Sequence, residues 1–300
     1  MTAINSARKN EPPFPRSLAP GLWMLGHGFF TLYLVRGTQR TALIELGVSA
    51  TVDAVVAQLQ SLGIKPDFLV MMHPHGDHIN GLPGLVRAFP AARVVAGPGA
   101  EAFIAHPKTA KALVDEDRFI TDFMATQDMV SADSPLTKAP TLAGSLTVNE
   151  GETIDLGGLT LQFFTVKGHA PGGIAVFIPE IRALMPSDSL GYRFSRGGFF
   201  PIYFTGYNDY IATIDRLETL LPEILCLAHQ GALSDKDLDQ AFADARRAAA
   251  DMRNRILKDT RSDDDIMTDI FADFYRDELK LYTRENIVGC CRLLIKRSRE

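Results

Sequence analysis

The chain of 300 residues lacks an excess of positive charge, since 31 lysines and arginines stand against 36 aspartates and glutamates and give a formal net charge of -5. A general attraction to phosphate backbones or anionic lipids is therefore absent, and we predict neither nucleic acid nor membrane as a partner. No apolar run approaches the roughly 18 residues of a membrane span. The polar start, residues 1–15, has no apolar stretch of the kind a secretory signal needs, so we expect a cytoplasmic protein.

Cysteine is also scarce. Cys226 stands alone and Cys290 adjoins Cys291, which is not the pattern of a disulfide framework. We interpret all three as small buried apolar residues of a reduced protein. The sequence has no Walker loop, no G-x-G-x-x-G after a strand, no G-x-S-x-G, no C-x-x-C and no H-E-x-x-H. These absences leave the seven histidines as the main source of chemistry.

Hydrophobic patterning in the first third of the chain predicts alternating strands and helices. Segments rich in β-branched and aromatic residues indicate strands, and apolar residues at helical spacing indicate helices. The predicted order is strand, strand, helix, strand, helix and strand, over residues 21–37, 41–48, 49–63, 66–73, 81–90 and 92–97.

The rest of the chain predicts a second run of the same kind. Residues 101–135 have helical periodicity without a strand and look like an insertion. Strands are then predicted over 145–149, 159–166, 174–178 and 182–186, a helix over 208–221 and a strand over 223–231. The tail, 234–300, is helical in pattern, with breaks near Asp259–Asp263 and Thr283.

Two similar runs of strands and helices predict an α/β fold, a four-layer αβ/βα sandwich with a helical insertion and C-terminal helices. We divide the chain into a flexible lead (1–15), a main domain (16–232) that contains the insertion, and a helical extension (233–300) packed on that domain. The insertion and the extension are expected to cover a cleft or to form a homodimer contact, because their apolar faces must be buried somewhere.

The densest cluster of chemical groups is "HPHGDH", residues 73–78, at the end of a predicted strand. Open αβ sheets build sites at such strand ends. His73 and His75 can converge there on one cation, and Asp77 and His78, beyond Gly76, can serve a second one. Imidazole and carboxylate without thiolate suit Zn²⁺, with iron or manganese as alternatives.

Three further candidate ligands follow apolar strands in equivalent positions. They are His169 in "KGHAPGG", Asp188 in "MPSDSL" and His229 in "LAHQG". A carboxylate can bridge two metals, and two metals about 3.5–4 Å apart form a standard hydrolytic device. We interpret His27 and His106 as ordinary surface residues.

The order of H-x-H-x-D-H, G-H-x-P-G, a strand-end aspartate and a strand-end His-x-Gly resembles the metallo-β-lactamase-fold hydrolase superfamily over about residues 20–232. The resemblance implies a dinuclear centre in the cleft between two sheets. It assigns His73, His75 and His169 to one divalent ion, and Asp77, His78 and His229 to the other, with Asp188 bridging. True β-lactamases usually place a cysteine where Asp188 stands, which argues against β-lactam hydrolysis.

The helical insertion and tail resemble the branch of that superfamily that includes the bacterial quinolone-signal thioesterase. The resemblance implies a hydrolase in which a metal-bridging hydroxide attacks an acyl carbon, with the carboxylates Asp77 and Asp188 at the reacting centre. We expect a small-molecule acyl thioester as substrate. A lactonase and a phosphodiesterase remain alternatives on the same fold, and a regulatory or partner-binding protein with a vestigial metal site is the alternative from another class.

Residues 190–210, after Asp188, are rich in aromatic side chains and contain two arginines. Their aromatics are expected either to form an apolar wall for an acyl group or simply to pack in the core. In the first case Arg193 or Arg196 would lie near an anionic carrier such as coenzyme A. The candidate pocket residues are Tyr192, Arg193, Phe194, Phe199, Phe200 and Tyr203.

Overall fold

The computed structural model of the chain describes residues 14–130 and 135–300, and every statement on the fold refers to them. The predicted lead up to residue 13 and residues 131–134 at the end of the predicted insertion lie outside the described residues. The described part forms two β-sheets with helices on their outer faces.

The first sheet has seven strands in chain order. They are β1 (Arg16–Ala19), β2 (Leu22–His27), β3 (Phe30–Arg36), β4 (Thr41–Ile44), β5 (Phe68–Val70), β6 (Arg93–Ala96) and β7 (Leu146–Thr147). β1 to β4 pair antiparallel, whereas β4 to β7 pair parallel. Parallel neighbours need crossover connections, and these contain α1 (Val52–Ser61), α2 (Gly76–Ile79), α3 (Leu82–Ala88), α4 (Ala100–Ala105) and α5 (Pro107–Thr126).

The second sheet is built from later strands. Its members are β8 (Thr153–Asp155), β9 (Thr160–Thr165), β10 (Ile174–Ile178), β11 (Ala183–Met185), β14 (Ile224–Cys226) and β15 (Ala232–Ser234), and a separate hairpin consists of β12 (Tyr192–Arg193) and β13 (Phe199–Phe200). The sheet order is β15-β14-β11-β10-β9-β8, with β11 and β14 parallel and the other pairs antiparallel. Its helices are α6 (Tyr207–Glu218), α7 (Asp235–Lys258), α8 (Asp263–Phe274) and α9 (Arg284–Arg299).

Strand β3 shows why the chain folds in layers. Its side chains alternate: Tyr33 and Val35 join the core between the two sheets, whereas Leu32 and Leu34 join the core under the helices of the first sheet. A strand buried on both faces reads as a continuous apolar run rather than as an alternating one. Each fully buried large apolar side chain contributes about 1.5–3 kcal/mol, so such strands carry much of the stability.

Helices cover the outer face of each sheet. Leu59 of α1 and Leu85 of α3 pack under the first sheet. Ile214 of α6 and Phe242 of α7 pack with Leu184 under the second. The order helix, sheet, sheet, helix confirms the predicted four-layer αβ/βα sandwich.

Several predicted strands need correction. Residues 21–37 form two strands, not one, because the chain reverses at Gly28 and Phe29 and pairs Leu22 with Val35. The strand predicted over 223–231 ends at Cys226. The strands β1, β8 and β15 were not predicted, since each has only three or four residues and shows no alternation long enough to recognise.

The tail helices bury their apolar faces within the chain. α7, α8 and α9 contribute Ala245, Ile270 and Leu294 to the core under the second sheet. Internal packing therefore accounts for these faces without a second subunit, and the homodimer stays a prediction. Among the described residues, no helix has the length and apolar character that crossing a membrane requires.

Candidate metal centre

The predicted ligands come from four segments that each follow the end of a strand. One runs from the end of β5 into α2, one joins β9 to β10, one is the turn after β11, and one follows β14. The ligand atoms within each of three groups lie within 4.8 Å of one another. The groups are His73, His75 and His169; His73, His78 and Asp188; and Asp77, His78 and His229. All seven predicted ligands are thus brought together.

Two glycines allow these segments to approach their neighbours. Gly168 precedes His169 with φ +95°, and a Cβ there would lie 2.3 Å from the Tyr210 backbone. Gly76 lies between His75 and Asp77, where a Cβ would lie 2.9 Å from Asn80 Nδ2. Asn80 donates in turn to the Leu113 carbonyl at 2.9 Å, which ties the ligand-bearing turn to α5.

The first histidine group is a triangle of ring nitrogens. His169 Nε2 lies 3.2 Å from His73 Nε2 and 3.0 Å from His75 Nδ1, and the last two are 3.1 Å apart. His169 Nδ1 donates to the Ile202 carbonyl at 2.9 Å, which leaves a lone pair on its Nε2. The Ser187 hydroxyl donates to Glu45, so it accepts from His73 Nδ1, and His73 Nε2 also carries a lone pair. Lone pairs that converge in this way repel unless a cation lies between them.

The second group, Asp77, His78 and His229, also brings candidate ligand atoms close together. Asp77 Oδ2 lies 3.4 Å from the Nε2 atoms of both His78 and His229. His229 Nδ1 donates to the Phe29 carbonyl at 2.8 Å, and His78 Nδ1 meets Glu45 Oε2 at 2.8 Å. Among the described residues, the two buried Nε2 atoms find no hydrogen-bond partner. Buried polar atoms without partners are costly, so this group also fits a cation.

Asp188 lies where both groups can use it. Its Oδ2 is 3.4 Å from His169 Nε2 and 3.5 Å from His78 Nε2, and its Oδ1 is 3.5 Å from His229 Nε2. Burial raises the pKa of Asp188, but the charge of His78 outweighs this and brings it to about 2. Burial lowers the pKa of His75 to about 3 and also lowers the pKa of His73 and His169. These three neutral imidazoles beside an ionised carboxylate form a donor set suited to divalent ions. Burial also acts to lower the pKa of His78 and of His229, but the nearby carboxylates, Asp77 first among them, outweigh it and raise both pKa values.

Two residues that contact the histidines, Glu45 and Ser187, were not predicted as site residues from the sequence. Glu45 is buried after β4, its Oε2 faces His78, and its Oε1 accepts from Ser187 at 2.5 Å. One carboxylate therefore orients His78 directly and His73 through a hydroxyl. Glu45 has a φ of 66°, which a non-glycine residue rarely adopts and which is often found at functional positions. The available signal was a lone acidic residue within the apolar run "TALIELGV".

A cavity of about 440 Å³ opens over the ligands. Its walls come from α5, α9 and the segment between α8 and α9, and it reaches His75, Asp77, His169 and Asp188. Tyr282 lines it and donates to Asp77 Oδ2 at 2.7 Å. The tail thus supplies a side chain that touches a predicted ligand across 205 positions of sequence.

Only two of the six predicted pocket residues line the cavity. Tyr192 and Phe200 line the cavity, and the Tyr192 ring lies 4.6 Å from the ring of His229. The other four, Arg193, Phe194, Phe199 and Tyr203, are not among the described residues that line it, which corrects the prediction. The three aromatics among them are buried instead in the core with the tail helices.

Contacts with residues of the tail explain why Phe194 and Tyr203 lie in the core. Phe194 stacks with Phe274 and carries the Arg276 guanidinium over its ring, and the Tyr203 hydroxyl lies 2.8 Å from that of Ser298. Arg196 is exposed and does not line the cavity either. The cavity wall is shared between part of residues 190–210, namely Tyr192, Phe200, Ile202 and Phe204, and the insertion and the tail, whose contribution sequence patterning could not place.

The two interpreted surface histidines lie outside the ligand groups. His106 is exposed and caps α5, where its Nδ1 accepts from the Lys108 amide at 3.3 Å. His27 is half-buried at the end of β2, with its ring 5.4 Å from that of Phe29. Cys226 and Cys291 are buried, as interpreted, whereas Cys290 is partly exposed and lines the cavity.

The layered fold and the two ligand groups that share Asp188 define the class of αβ/βα sandwich proteins with a candidate dinuclear metal centre. The family model of the Metallo-beta-lactamase superfamily matches residues 28–229. The chain belongs to this superfamily, which confirms the resemblance drawn from its motifs.

Individual relatives match the chain at low sequence identity. The Metallo-beta-lactamase fold-containing protein ST1585 of Sulfurisphaera tokodaii is 26% identical over 212 residues, 70% of this chain and 76% of that protein. Its crystal structure matches with a TM-score of 0.64 and 22% identity over 92% of this chain and 98% of its own, a likeness that shows the fold. Acyl-coenzyme A thioesterase MBLAC2 of Bos taurus is 24% identical over 230 residues, 69% and 75% of the two chains. Hydroxyacylglutathione hydrolase of Ruegeria pomeroyi is 25% identical over 151 residues, 50% and 43% of the two chains.

Proposed function

We propose that the protein is a hydrolase that uses two divalent metal ions to cleave acyl thioesters of small molecules. The observation that carries the proposal is the pair of ligand groups, sharing Asp188, at the base of a largely apolar cavity. The names of two relatives, an acyl-coenzyme A thioesterase and a hydroxyacylglutathione hydrolase, support the substrate class.

We assign the ligands from the contacts described above. His73, His75 and His169 would hold one ion, and Asp77, His78 and His229 the other, with Asp188 contacting both. Zn²⁺ is the first choice for this nitrogen and oxygen donor set, and iron or manganese are the alternatives. When bound, the two ions would supply an activated water and an electrophile for the substrate carbonyl.

The chain's own residues then hold the reacting groups in place. Glu45 and Ser187 fix the tautomers of two histidines, and Tyr282 holds Asp77 Oδ2. The apolar walls of the cavity exclude water around the acyl group, which strengthens the polar interactions inside. A thiolate leaves without much proton donation, because its conjugate acid has a pKa of about 8.5.

The kind of partner follows from the charge and from the cavity. The net charge of -5 disfavours a polyanionic nucleic acid or a membrane surface, and an apolar cavity suits a small acyl group. We therefore propose a small-molecule substrate, and we propose the cytoplasm as the compartment because the three cysteines form no disulfide framework. A lactonase or a phosphodiesterase would use the same metal centre, and a regulatory protein would keep the centre without turnover.

The decisive experiment combines metal analysis with a substrate panel. Elemental analysis should find about two metal ions per chain. An aryl or alkyl thioester should be hydrolysed with a higher kcat/KM than an acyl-homoserine lactone or bis(p-nitrophenyl) phosphate. A phosphodiester preferred by more than about tenfold, equivalent to roughly 1.4 kcal/mol, would replace the thioesterase assignment.

The metal assignment has its own variant. The double substitution His73→Ala and His75→Ala removes two of the three nitrogens of one group, so metal content should fall to about one ion per chain or less and turnover to background. His106→Ala, which removes an exposed histidine away from the ligand groups, is the matched control. Full metal occupancy in the double variant would refute the assignment.

A further inference from the structure

The wall of the cavity contains one polar pair that the metal centre does not explain. Asn286 of α9 donates from Nδ2 to Glu116 Oε1 of α5 at 2.6 Å, and both residues line the cavity. Cys290 Sγ lies 3.3 Å from Asn286 Oδ1 as its donor. The neighbouring wall is apolar, with Phe103, Leu113 and Ile287. Apolar packing alone would be enough to join the two helices here, so their packing does not explain the polar pair.

Glu116 lies next to the ligand-bearing turn. Its Oε2 would be 3.6 Å from a Cβ on Gly76, the residue between His75 and Asp77. Asn286 already occupies Oε1, and among the hydrogen bonds of the described residues Oε2 takes part in none. A guest in the cavity can therefore reach this oxygen while its carbonyl lies at the metal centre.

The electrostatics of the pair select the kind of guest. Burial, reinforced by the charges of Asp77 and Asp117, raises the pKa of Glu116 to about 8. Whether the carboxyl group is protonated or ionised, its free Oε2 can accept a hydrogen bond. A hydroxyl group on the guest can donate to it. A carboxylate on the guest has no proton to donate and would lie beside the charge of Asp77, so it would bind more weakly than a hydroxyl.

We propose that the Glu116–Asn286 pair is an acyl-recognition site for thioesters whose acyl group carries a hydroxyl on an otherwise apolar chain, remote from the thioester carbonyl. The proposal rests on the proposed function and adds its substrate class. The pair determines specificity and takes no part in bond cleavage. The volume of about 440 Å³ falls within the range of small-molecule sites, about 300–1,000 Å³.

Three acyl groups of matched length test the proposal, presented as N-acetylcysteamine thioesters to the metal-loaded enzyme. They are hexanoyl, ω-hydroxyhexanoyl and adipoyl, which end in a methyl, a hydroxymethyl and a carboxylate. The hydroxyl should raise kcat/KM about fivefold over hexanoyl, the effect of one hydrogen bond in a buried site. Adipoyl should be the poorest substrate.

Variants then assign the preference to the pair. Glu116→Leu should bring the ratio of ω-hydroxyhexanoyl to hexanoyl to about one, since the hydrogen bond is lost. Glu116→Gln keeps a neutral donor and acceptor and should retain the preference. Asp115→Asn is the matched control, because Asp115 is an exposed residue of α5 that precedes Glu116 and does not line the cavity. An unchanged ratio in Glu116→Leu, or no preference in the wild type, overturns the proposal.

A binding measurement separates this proposal from the proposed function. Hexyl and ω-hydroxyhexyl thioethers of N-acetylcysteamine cannot be hydrolysed, and calorimetry gives their Kd values. Tighter binding of the hydroxylated thioether that depends on Glu116 supports the recognition site even if no thioester is cleaved. Thioester hydrolysis without that dependence keeps the proposed function and overturns the site.

Discussion

The metal centre and the cavity wall are built in opposite ways. The centre draws four of its seven candidate ligands from six consecutive residues, His73 to His78. The wall joins α5 of the insertion to α9 of the tail, through a contact between residues 170 positions apart. The candidate ligands lie on short segments at strand ends, whereas the cavity wall, to which we assign selectivity in our proposal, comes in large part from helices added to the sandwich. The two regions should therefore respond differently to change.

Removal of residues 233–300 should have the largest effect. The tail contributes large, fully or nearly fully buried side chains to the core under the second sheet, among them Leu238, Phe242, Ile256, Ile270 and Leu294. At about 1.5–3 kcal/mol for each such side chain, their burial is comparable with the whole stability of a domain, about 5–15 kcal/mol. We expect the truncated protein to aggregate, as measured by light scattering and size-exclusion chromatography.

The control deletes only the exposed residues Arg299 and Glu300 and should remain folded. This deletion removes two surface ion pairs, Arg299 with Asp263 and Glu300 with Arg297, and the loss of each costs at most about 1 kcal/mol. A truncated protein that stayed soluble and monomeric, with unchanged kinetics, would show that the tail is a separate unit. The different roles that we assign to the metal centre and to the cavity wall would then be wrong.

A smaller effect is expected from Glu45→Gln, which changes a residue that orients two candidate ligands and leaves the cavity wall unchanged. The amide keeps the size of the side chain, but its NH₂ group must face either His78 Nδ1 or the Ser187 hydroxyl, both of which donate to Glu45. Loss of such an outer partner typically weakens metal affinity about 10–100-fold. Competition with a chelator measures the change. Glu223→Gln, at an exposed residue paired with Arg182, serves as control, and equal affinities in the two variants would contradict the role of Glu45.

The same contrast explains what could be read from the sequence. The candidate ligands could be predicted because their types and spacing are local, and the structure brings them together. The layers could be predicted because apolar periodicity is local. Tyr282 and Asn286 carry no such signal, since their roles arise from contacts with Asp77 and Glu116 in distant segments. The aromatics Phe194, Phe199 and Tyr203 were assigned to the pocket because composition reveals apolar character but not which surface buries it.

The smallest predicted effect concerns the wall and depends on pH. The pKa of Glu116 is raised to about 8 in the fold from its ordinary value of 4.5. Between these two values the folded state binds a proton that the unfolded state has released, so the stability contributed by this group falls as pH rises and levels off above the folded pKa. Glu116→Gln removes that loss. In metal-free protein its free energy of unfolding relative to wild type should therefore rise between roughly pH 5 and pH 8. Chemical denaturation at several pH values measures the difference, and Asp115→Asn, at the exposed neighbour of Glu116, is the control. Bound cations beside Asp77 would favour the ionised form of Glu116 and shrink the effect, so equal pH profiles with and without metal would show that wall and centre are electrostatically independent.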